Sequence, residues 1–198
     1  MKKALLLLAD GFEEIEALSP VDYLRRAGCQ VFILGLGKER SFSQGAHGIN
    51  VLADKAFDSF LNDFSFDFEG IARAYDAIVI PGGMPGATNI ASNENAVSLI
   101  KAFVKEEKLV ACICASPALV LPQTGALDGK KWTCYPGMQE NVKSKELLSC
   151  YQDAPFLHDS FLITGRGPGA AEEFSMEIVK SLCGTEIYLK VKGQSLQR

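Results

Sequence analysis

A short apolar strand that ends at a cysteine is the chemically most suggestive feature of this sequence. Leu109 to Ile113 form an apolar run that is typical of a strand buried on both faces of a parallel sheet. Cys114 follows, and Pro117 suits the first turn of a helix, because its missing N–H would be unpaired there. On such a sharp turn a side chain faces the positive end of the helix, which stabilises a thiolate. The pattern predicts a nucleophile elbow with sulfur in place of oxygen, although a buried core cysteine is equally compatible.

A glutamate in the first predicted helix is the second candidate. Residues 3–9 predict a strand and 13–27 a helix that Gly28 ends as a left-handed cap. Its first turn holds Glu13, Glu14 and Glu16, where carboxylates favour the helix dipole, and we expect Glu13 or Glu14 to be exposed. Pro20 cannot donate to the carbonyl of Glu16, which predicts a helix distorted at that residue. The side chain of Glu16 would then face a pocket.

Two glycines after the third predicted strand form another candidate feature. Ala77 to Ile80 predict a buried strand, and Gly82 and Gly83 follow Pro81. Glycines allow close backbone approach and could present a free N–H to a developing negative charge, although a plain turn is equally compatible. Ligands in such sheets bind beyond the carboxyl ends of the strands, so this turn, Cys114 and Glu16 are expected to converge.

The remaining candidate residues for metal or cofactor binding are two histidines, a pair of cysteines and a pair of glycines. His47 lies in a glycine-rich loop and could reach a pocket, whereas His158 lies in an Asp-rich turn that we expect to be exposed. Cys112 and Cys114 have no second ligand pair, which argues against zinc. Gly35 and Gly37 are not followed by a helix at phosphate-loop spacing. We therefore expect no metal and no cofactor.

The pattern of elements predicts an α/β fold with a mostly parallel sheet covered on both faces, in one domain over residues 1–198. The other predicted elements are a strand at 29–36, a hairpin-like excursion at 37–53, a helix then a loop in the Phe-rich stretch 54–74, a helix at 93–107, short strands near 130–135 and 147–151, a last strand at 161–164 and a helix at 170–183.

Composition limits the classes of partner. The chain has 198 residues with a net charge of −4 and no basic run, so nucleic acid is not an expected partner. No apolar run approaches the ~20 residues of a membrane helix, and Asp10 follows the first apolar run without a cleavage site. The 6 cysteines show no pairing rhythm. We therefore expect reduced thiols in a cytoplasmic protein.

Four segments in order resemble the motifs of the ThiJ/PfpI superfamily, in the branch of the parkinsonism-associated protein DJ-one and its bacterial relatives. They span nearly the whole chain and comprise residues 11–17, 81–83, 111–117 and 165–169. The resemblance implies a flavodoxin-like α/β/α sandwich formed by a single domain, and a homodimer. It also implies an oxidation-sensitive Cys114, a protonated Glu16 beside it, and oxyanion contacts from the N–H groups of Gly83 and Ala115.

Several positions depart from the family's patterns. Ala115 stands where the protease-like members carry a histidine, which disfavours peptidase activity. Tyr135 stands where some members of the nearest branch have a histidine near the pocket, and Gly165 replaces a serine that is common in the last loop. Arg166 follows in that loop as a further pocket candidate. Residues 59–70 resemble an insertion without an assigned role.

The resemblance implies conversion of 2-oxoaldehydes such as methylglyoxal, or of their early protein adducts, without glutathione. Cys114 would attack the aldehyde carbon, and Glu16 would move a proton between the two carbons so that water releases a hydroxy acid. The alternative is a redox-sensing or chaperone-like protein whose Cys114 is oxidised to a sulfinate without significant turnover. The same residues serve both functions. The older label of thiazole monophosphate biosynthesis lacks a phosphate-binding feature here.

Overall fold

Apolar strands that alternate with helices build a layered α/β structure. The computed structural model describes residues 1–36 and 42–197. Its strands are β1 (Lys3–Leu8), β2 (Gln30–Gly35), β3 (Phe42–Gln44), β4 (Asn50–Leu52), β5 (Lys55–Ala56), β6 (Ala77–Ile80), β7 (Leu109–Ile113), β8 (Phe156–Asp159) and β9 (Leu162–Gly165). Its helices are α1 (Glu14–Arg26), α2 (Phe57–Asp63), α3 (Phe68–Ala74), α4 (Gly86–Ala91), α5 (Glu94–Lys105), α6 (Ser116–Leu119), α7 (Lys145–Ser149) and α8 (Ala171–Gln194).

The central sheet is mostly parallel, as predicted. Within the described ranges, 7 strands pair in the order β5-β2-β1-β6-β7-β9-β8, and only β8 runs antiparallel to its neighbour. The register pairs Ile80 with Cys112, and Cys112 with Thr164. The carboxyl ends of β6, β7 and β9 therefore lie side by side, at the edge where ligands bind in such sheets.

Helices cover both faces of this sheet, which explains the continuous apolar runs of its inner strands. Successive residues of a strand point to opposite faces. In β7, Val110 and Cys112 pack into one buried cluster, whereas Ala111 and Ile113 pack into the other. The predicted flavodoxin-like α/β/α architecture is confirmed.

The Phe-rich segment builds part of the core. Where we predicted one helix and a loop, α2 and α3 form two short helices joined by Ser65 and Phe66, both at positive φ. Phe60 is buried, with its ring centroid 5.1 Å from that of Phe64 and 5.9 Å from that of Tyr75. Packing between aromatic rings explains why this segment is rich in phenylalanine. The segment covers the sheet beside β2 and β5.

The region before the last strand contradicts two predictions. Residues predicted as a strand near 147–151 begin within α7, because the Ser144 side chain accepts from the N–H of Leu147 and caps a helix. Near 130–135 the structure has an isolated bridge between Trp132 and Tyr151 instead of a strand. The sequence prediction also missed β8, whose alternation is weak.

Two other predicted segments, the hairpin-like excursion and the last helix, are both present. The hairpin-like excursion is present as the antiparallel pair β3 and β4, while its predicted turn residue Gly37 lies outside the described residues. Helix α8 continues past the predicted end through Gly184, which has a non-helical φ of 83°.

No helix in the described part of the chain is long and apolar enough to cross a membrane.

Candidate active site

The predicted sharp turn after β7 is present. Cys114 has a φ of 67°, a left-handed conformation that costs a residue with a Cβ roughly 1–2 kcal/mol. Neighbouring loops hold it there: its N–H donates to Gly165 O at 2.9 Å, and its carbonyl accepts from the N–H of Tyr135 at 2.8 Å. Ser116 Oγ also donates to the carbonyl of Pro81 at 2.6 Å. These bonds fix the cysteine between three loops.

The helix after Cys114 is short. Helix α6 has 4 residues, and a 3₁₀ turn follows at Leu121–Gln123. One turn supplies little macrodipole, so individual N–H groups have to stabilise negative charge here. The backbone N–H groups of Gly83 and Ala115 interact with the sulfur and lower the pKa of Cys114. Both residues that the resemblance implies as oxyanion contacts therefore lie beside the sulfur.

Glu16 is fully buried next to Cys114. The Glu13 side chain caps α1 by accepting from the N–H of Glu16 at 2.8 Å, and the helix continues through Pro20. Glu16 Oε2 accepts from the N–H of Gly82 at 2.9 Å. Glu16 Oε1 has no partner with hydrogen-bond geometry among the described residues, although the Cys114 thiol interacts with this carboxyl closely enough to shift its pKa. A buried carboxyl oxygen thus remains available beside the sulfur.

The two groups shift each other's pKa in opposite directions, because the Cys114 thiol lowers the pKa of Glu16 whereas Glu16 raises the pKa of Cys114. Burial raises the pKa of Glu16 to about 7, with a further contribution from the charge of Glu13. Burial and the Glu16 charge raise the pKa of the Cys114 thiol to about 12, outweighing the two N–H groups. The N–H groups around the turn favour a thiolate, as expected at this position, but burial and the nearby carboxylate act in the opposite direction. Above about pH 7 the pair holds one proton to share.

Glycine is required at two positions in this site. A Cβ on Gly82 would lie 2.6 Å from Cys114 Cβ and 2.7 Å from Glu16 Oε2, closer than non-bonded atoms approach. Gly83 has a φ of 86°, and a Cβ there would lie 2.3 Å from the backbone nitrogen of Glu13. The predicted glycine turn thus brings its backbone against both candidate side chains.

The first turn of α1 departs from the expectation of an exposed Glu13 or Glu14. Both are buried, because the loop between β3 and β4 docks on them. Glu14 accepts from the backbone N–H of His47 at 2.7 Å and lies 2.7 Å from its Nδ1. Burial raises the pKa of Glu14, but these hydrogen bonds outweigh it and lower the pKa overall. This contact places His47 on Glu14, with its side chain 69% exposed.

Sequence reasoning expected no metal site and did not anticipate this cluster. Ligand-capable atoms of Glu13, Glu14 and His47 lie within 4.8 Å of one another. Glu13 is engaged as the helix cap and Glu14 with His47, so these contacts explain the cluster without an ion. The position of Glu13 three residues before Glu16 is the sequence feature that could have identified it as a helix cap.

Tyr135 and Arg166 line a cavity of about 430 Å³ beside the site. Gly167 joins the two places: a Cβ on it would lie 3.3 Å from the Tyr135 ring and 4.0 Å from Glu16 Oε1. Arg166 Nε lies 3.4 Å from a carboxylate oxygen of Asp153, at the surface. A larger cavity of about 570 Å³ lies against α8, away from Cys114, so cavity size does not mark the site.

Comparison with known proteins agrees with this arrangement. The model of the DJ-1/PfpI family matches residues 2–181. The chain is 33% identical to the Parkinson disease protein 7 homolog of Danio rerio, covering 97% of this chain and 95% of that protein. It is 32% identical to a deglycase of Pyrococcus horikoshii, covering 91% and 99%. It is 35% identical to protein DJ-1 homolog B of Arabidopsis thaliana over 97% of this chain, but spans 40% of that protein's length.

Solved structures give the same result. Oxidized DJ-1 of Toxoplasma gondii superposes with a TM-score of 0.85 at 31% identity, covering 99% of this chain and 98% of that one. Drosophila melanogaster DJ-1beta gives 0.83 at 32% identity, with 98% and 97% covered. Fold and site define an α/β protein with a cysteine elbow beside a buried carboxyl. The chain belongs to the DJ-1/PfpI family.

Proposed function

We propose that the protein converts small 2-oxoaldehydes into 2-hydroxy acids without glutathione. The observation that carries this proposal is the pairing of a fully buried Glu16, whose pKa is raised to about 7, with Cys114 on the elbow. A carboxyl that changes protonation near neutral pH suits a general acid and base. The resemblance to a relative named as a deglycase supports the same chemistry.

The reaction balances without an external oxidant. Glu16 takes the thiol proton as the Cys114 sulfur attacks the aldehyde carbon, and the carbonyl electrons move onto an oxygen held by the N–H groups of Gly83 and Ala115. Glu16 protonates that oxygen to give a hemithioacetal. It then removes the proton from the former aldehyde carbon and delivers a proton to the adjacent carbon, while the hydroxyl proton passes from the first oxygen to the second, which leaves a thioester. Water cleaves the thioester into hydroxy acid and free thiol.

Burial favours a small carbonyl compound as substrate. Cys114 is 8% exposed and Glu16 is not exposed at all, so a compact aldehyde reaches them more easily than a folded protein surface. We include early adducts on glycated proteins as substrates when the adduct projects from the protein surface. The half-exposed Tyr135 lies nearby, with the buried Gly167 between its ring and Glu16.

Steady-state turnover of methylglyoxal by the purified protein tests this function. We expect hydroxy acid formation that Cys114→Ser abolishes, while Cys150→Ser, a partly buried cysteine outside the site, retains it. Absence of turnover in the wild-type protein would refute the enzymatic proposal.

A redox-sensing function is the second candidate. It is supported by the unpartnered Glu16 Oε1 and by two N–H groups beside the sulfur, which could hold the oxygens of a sulfinate. The related Toxoplasma gondii protein is described as oxidized. Mild peroxide should then place the first sulfinate on Cys114, as mass spectrometry would show. A first sulfinate on Cys150 would contradict this function.

A further inference from the structure

Two cysteines far from the candidate active site meet in the fold. Cys29 follows the glycine cap of α1 and precedes β2, and Cys183 lies in α8 directly before Gly184. Their Sγ atoms are 3.2 Å apart, although the residues are separated by 154 positions in the chain. Both are free thiols. A disulfide bond is about 2.05 Å long, so the sulfurs need to approach by roughly 1 Å to be joined.

The backbone around Cys183 can accommodate that approach. Gly184 leaves the helical conformation, with φ 83° and ψ 170°, and divides α8 at this point. A Cβ built on Gly184 would meet no atom within 4 Å, so the space around this residue is open. Cys183 thus lies at the end of a helical segment beside a flexible residue.

The surroundings distinguish the roles of the two sulfurs. Cys29 is 7% exposed, whereas Cys183 is partly exposed. Burial, followed by its contact with Cys183, raises the pKa of Cys29 to about 12. The Lys2 ammonium lowers the pKa of Cys29, but less than burial and Cys183 raise it. An oxidant therefore reaches the sulfur of Cys183 first.

We propose that Cys29 and Cys183 form a reversible intramolecular disulfide in response to hydroperoxides, at a modification site separate from Cys114. The Cys183 thiolate attacks a peroxide oxygen and the O–O bond breaks, which gives a sulfenic acid and releases an alcohol, or water from hydrogen peroxide. The sulfur of Cys29 then attacks the sulfur of Cys183. The S–O bond breaks, water leaves and the S–S bond forms, so the two thiols lose two electrons and the peroxide gains them. A dithiol reverses the step by exchange.

Peptide mapping of the full chain under non-reducing conditions tests this proposal. After treatment with hydrogen peroxide and trypsin, we expect the peptide that begins at Ala27 to be linked to the peptide that begins at Ser181. Their joint mass should be about 2 Da below the sum of the two thiol peptides. Reduction with dithiothreitol should restore both. Unlinked peptides at peroxide doses that modify Cys114, or a link between two different chains, would overturn the proposal.

Thermal unfolding provides a second measurement. The link closes a loop of more than 150 residues, so peroxide should raise the midpoint of the wild-type protein by roughly 5–10 °C. Cys29→Ala and Cys183→Ala should each lose this increase, whereas Cys150→Ala should keep it. A wild-type unfolding midpoint that stays unchanged although peptide mapping shows the disulfide would overturn the predicted stabilisation. The peptide mapping uses the wild-type protein, so it does not depend on whether a variant folds. Aldehyde turnover is a separate readout, so failure here leaves the proposed function untouched.

Discussion

The backbone N–H of Gly82 holds Glu16 Oε2 at 2.9 Å, and no Cβ would fit at Gly82 between that oxygen and Cys114. The Gly82 amide therefore orients the carboxyl of Glu16. Because Gly82 has no side chain, this carboxyl can also lie beside the Cys114 sulfur. The other oxygen of Glu16 has no hydrogen-bond partner among residues 1–36 and 42–197.

Replacing Glu16 with glutamine separates proton transfer from sulfur reactivity. The amide of Glu16→Gln can donate a hydrogen bond but cannot shuttle a proton, so turnover of methylglyoxal should fall by about 10²–10⁴-fold. Alkylation of Cys114 by iodoacetamide should remain measurable but lose its inflection near pH 7, where Glu16 titrates in the wild type. Glu14→Gln is the control, since Glu14 bonds to His47 instead of Cys114. Equal turnover in wild type and Glu16→Gln would remove Glu16 from the mechanism.

The raised pKa of Glu16 predicts how stability depends on pH. The folded protein binds the Glu16 proton up to about pH 7, whereas the ordinary value is 4.5, so this contribution to stability is lost as pH rises through that interval. At about 1.4 kcal/mol per pKa unit, the interval from 4.5 to about 7 corresponds to about 3 kcal/mol.

Denaturant unfolding at pH 5 and pH 8 measures this effect. Glu16→Gln should gain stability relative to wild type as pH rises. Glu14 differs, because hydrogen bonds lower its pKa in the fold, so its contribution to stability is lost only as pH falls below its ordinary value of 4.5, outside this interval. Parallel pH profiles for wild type and Glu16→Gln would contradict the raised pKa.

Adding one methyl group at Gly82 should disrupt the site. In Gly82→Ala, the new Cβ would collide with Cys114 Cβ and Glu16 Oε2, which should cost roughly 1–3 kcal/mol in the free energy of unfolding. Turnover should fall at least about tenfold because the carboxyl is displaced. The matched control is Gly193→Ala in α8, where a Cβ meets nothing within 4 Å and stability should rise by up to ~1 kcal/mol. Wild-type turnover in Gly82→Ala would show that the close packing is dispensable.

Exposed apolar side chains on α1 and the hairpin support the homodimer that the resemblance implies. Ile15 and Leu18 on α1 are 55% and 37% exposed, and Ile49 and Leu52 at the hairpin are 53% and 69% exposed. We expect light scattering to give about twice the chain mass of 21.4 kDa. Ile15→Glu should shift the protein toward monomer, whereas Leu189→Glu, at a position 58% exposed on α8, should not. A monomeric wild type at micromolar concentration would contradict the dimer.

Sequence reasoning succeeded where the signal was local. The apolar run before Cys114 and the glycine cap at Gly28 each depend on a few neighbouring residues, and both features are present. The prediction near 147–151 was wrong because apolar residues there suit either element, and the Ser144 cap decided for a helix. Strand β8 was missed because its half-buried pattern lacks regular alternation.

The details of the site depend on contacts between distant segments, which local patterns do not encode. Burial of Glu14 results from the loop that carries His47, 33 positions away. The pKa of Cys114 is raised by burial and by the charge of Glu16, which lies on α1. The meeting of Cys29 with Cys183 is of the same kind.

The two borders of the central sheet also affect how the protein behaves when it is concentrated. At one border β5 has 2 residues, and Lys55 pairs with Asp63. At the other, β8 runs antiparallel to β9, and His158 pairs with Glu177. As far as the structure describes the chain, neither border offers a long, flat apolar strand onto which a foreign strand could add. The folded chain is therefore guarded against fibril growth through its sheet, and such polymerisation would have to begin from an unfolded form.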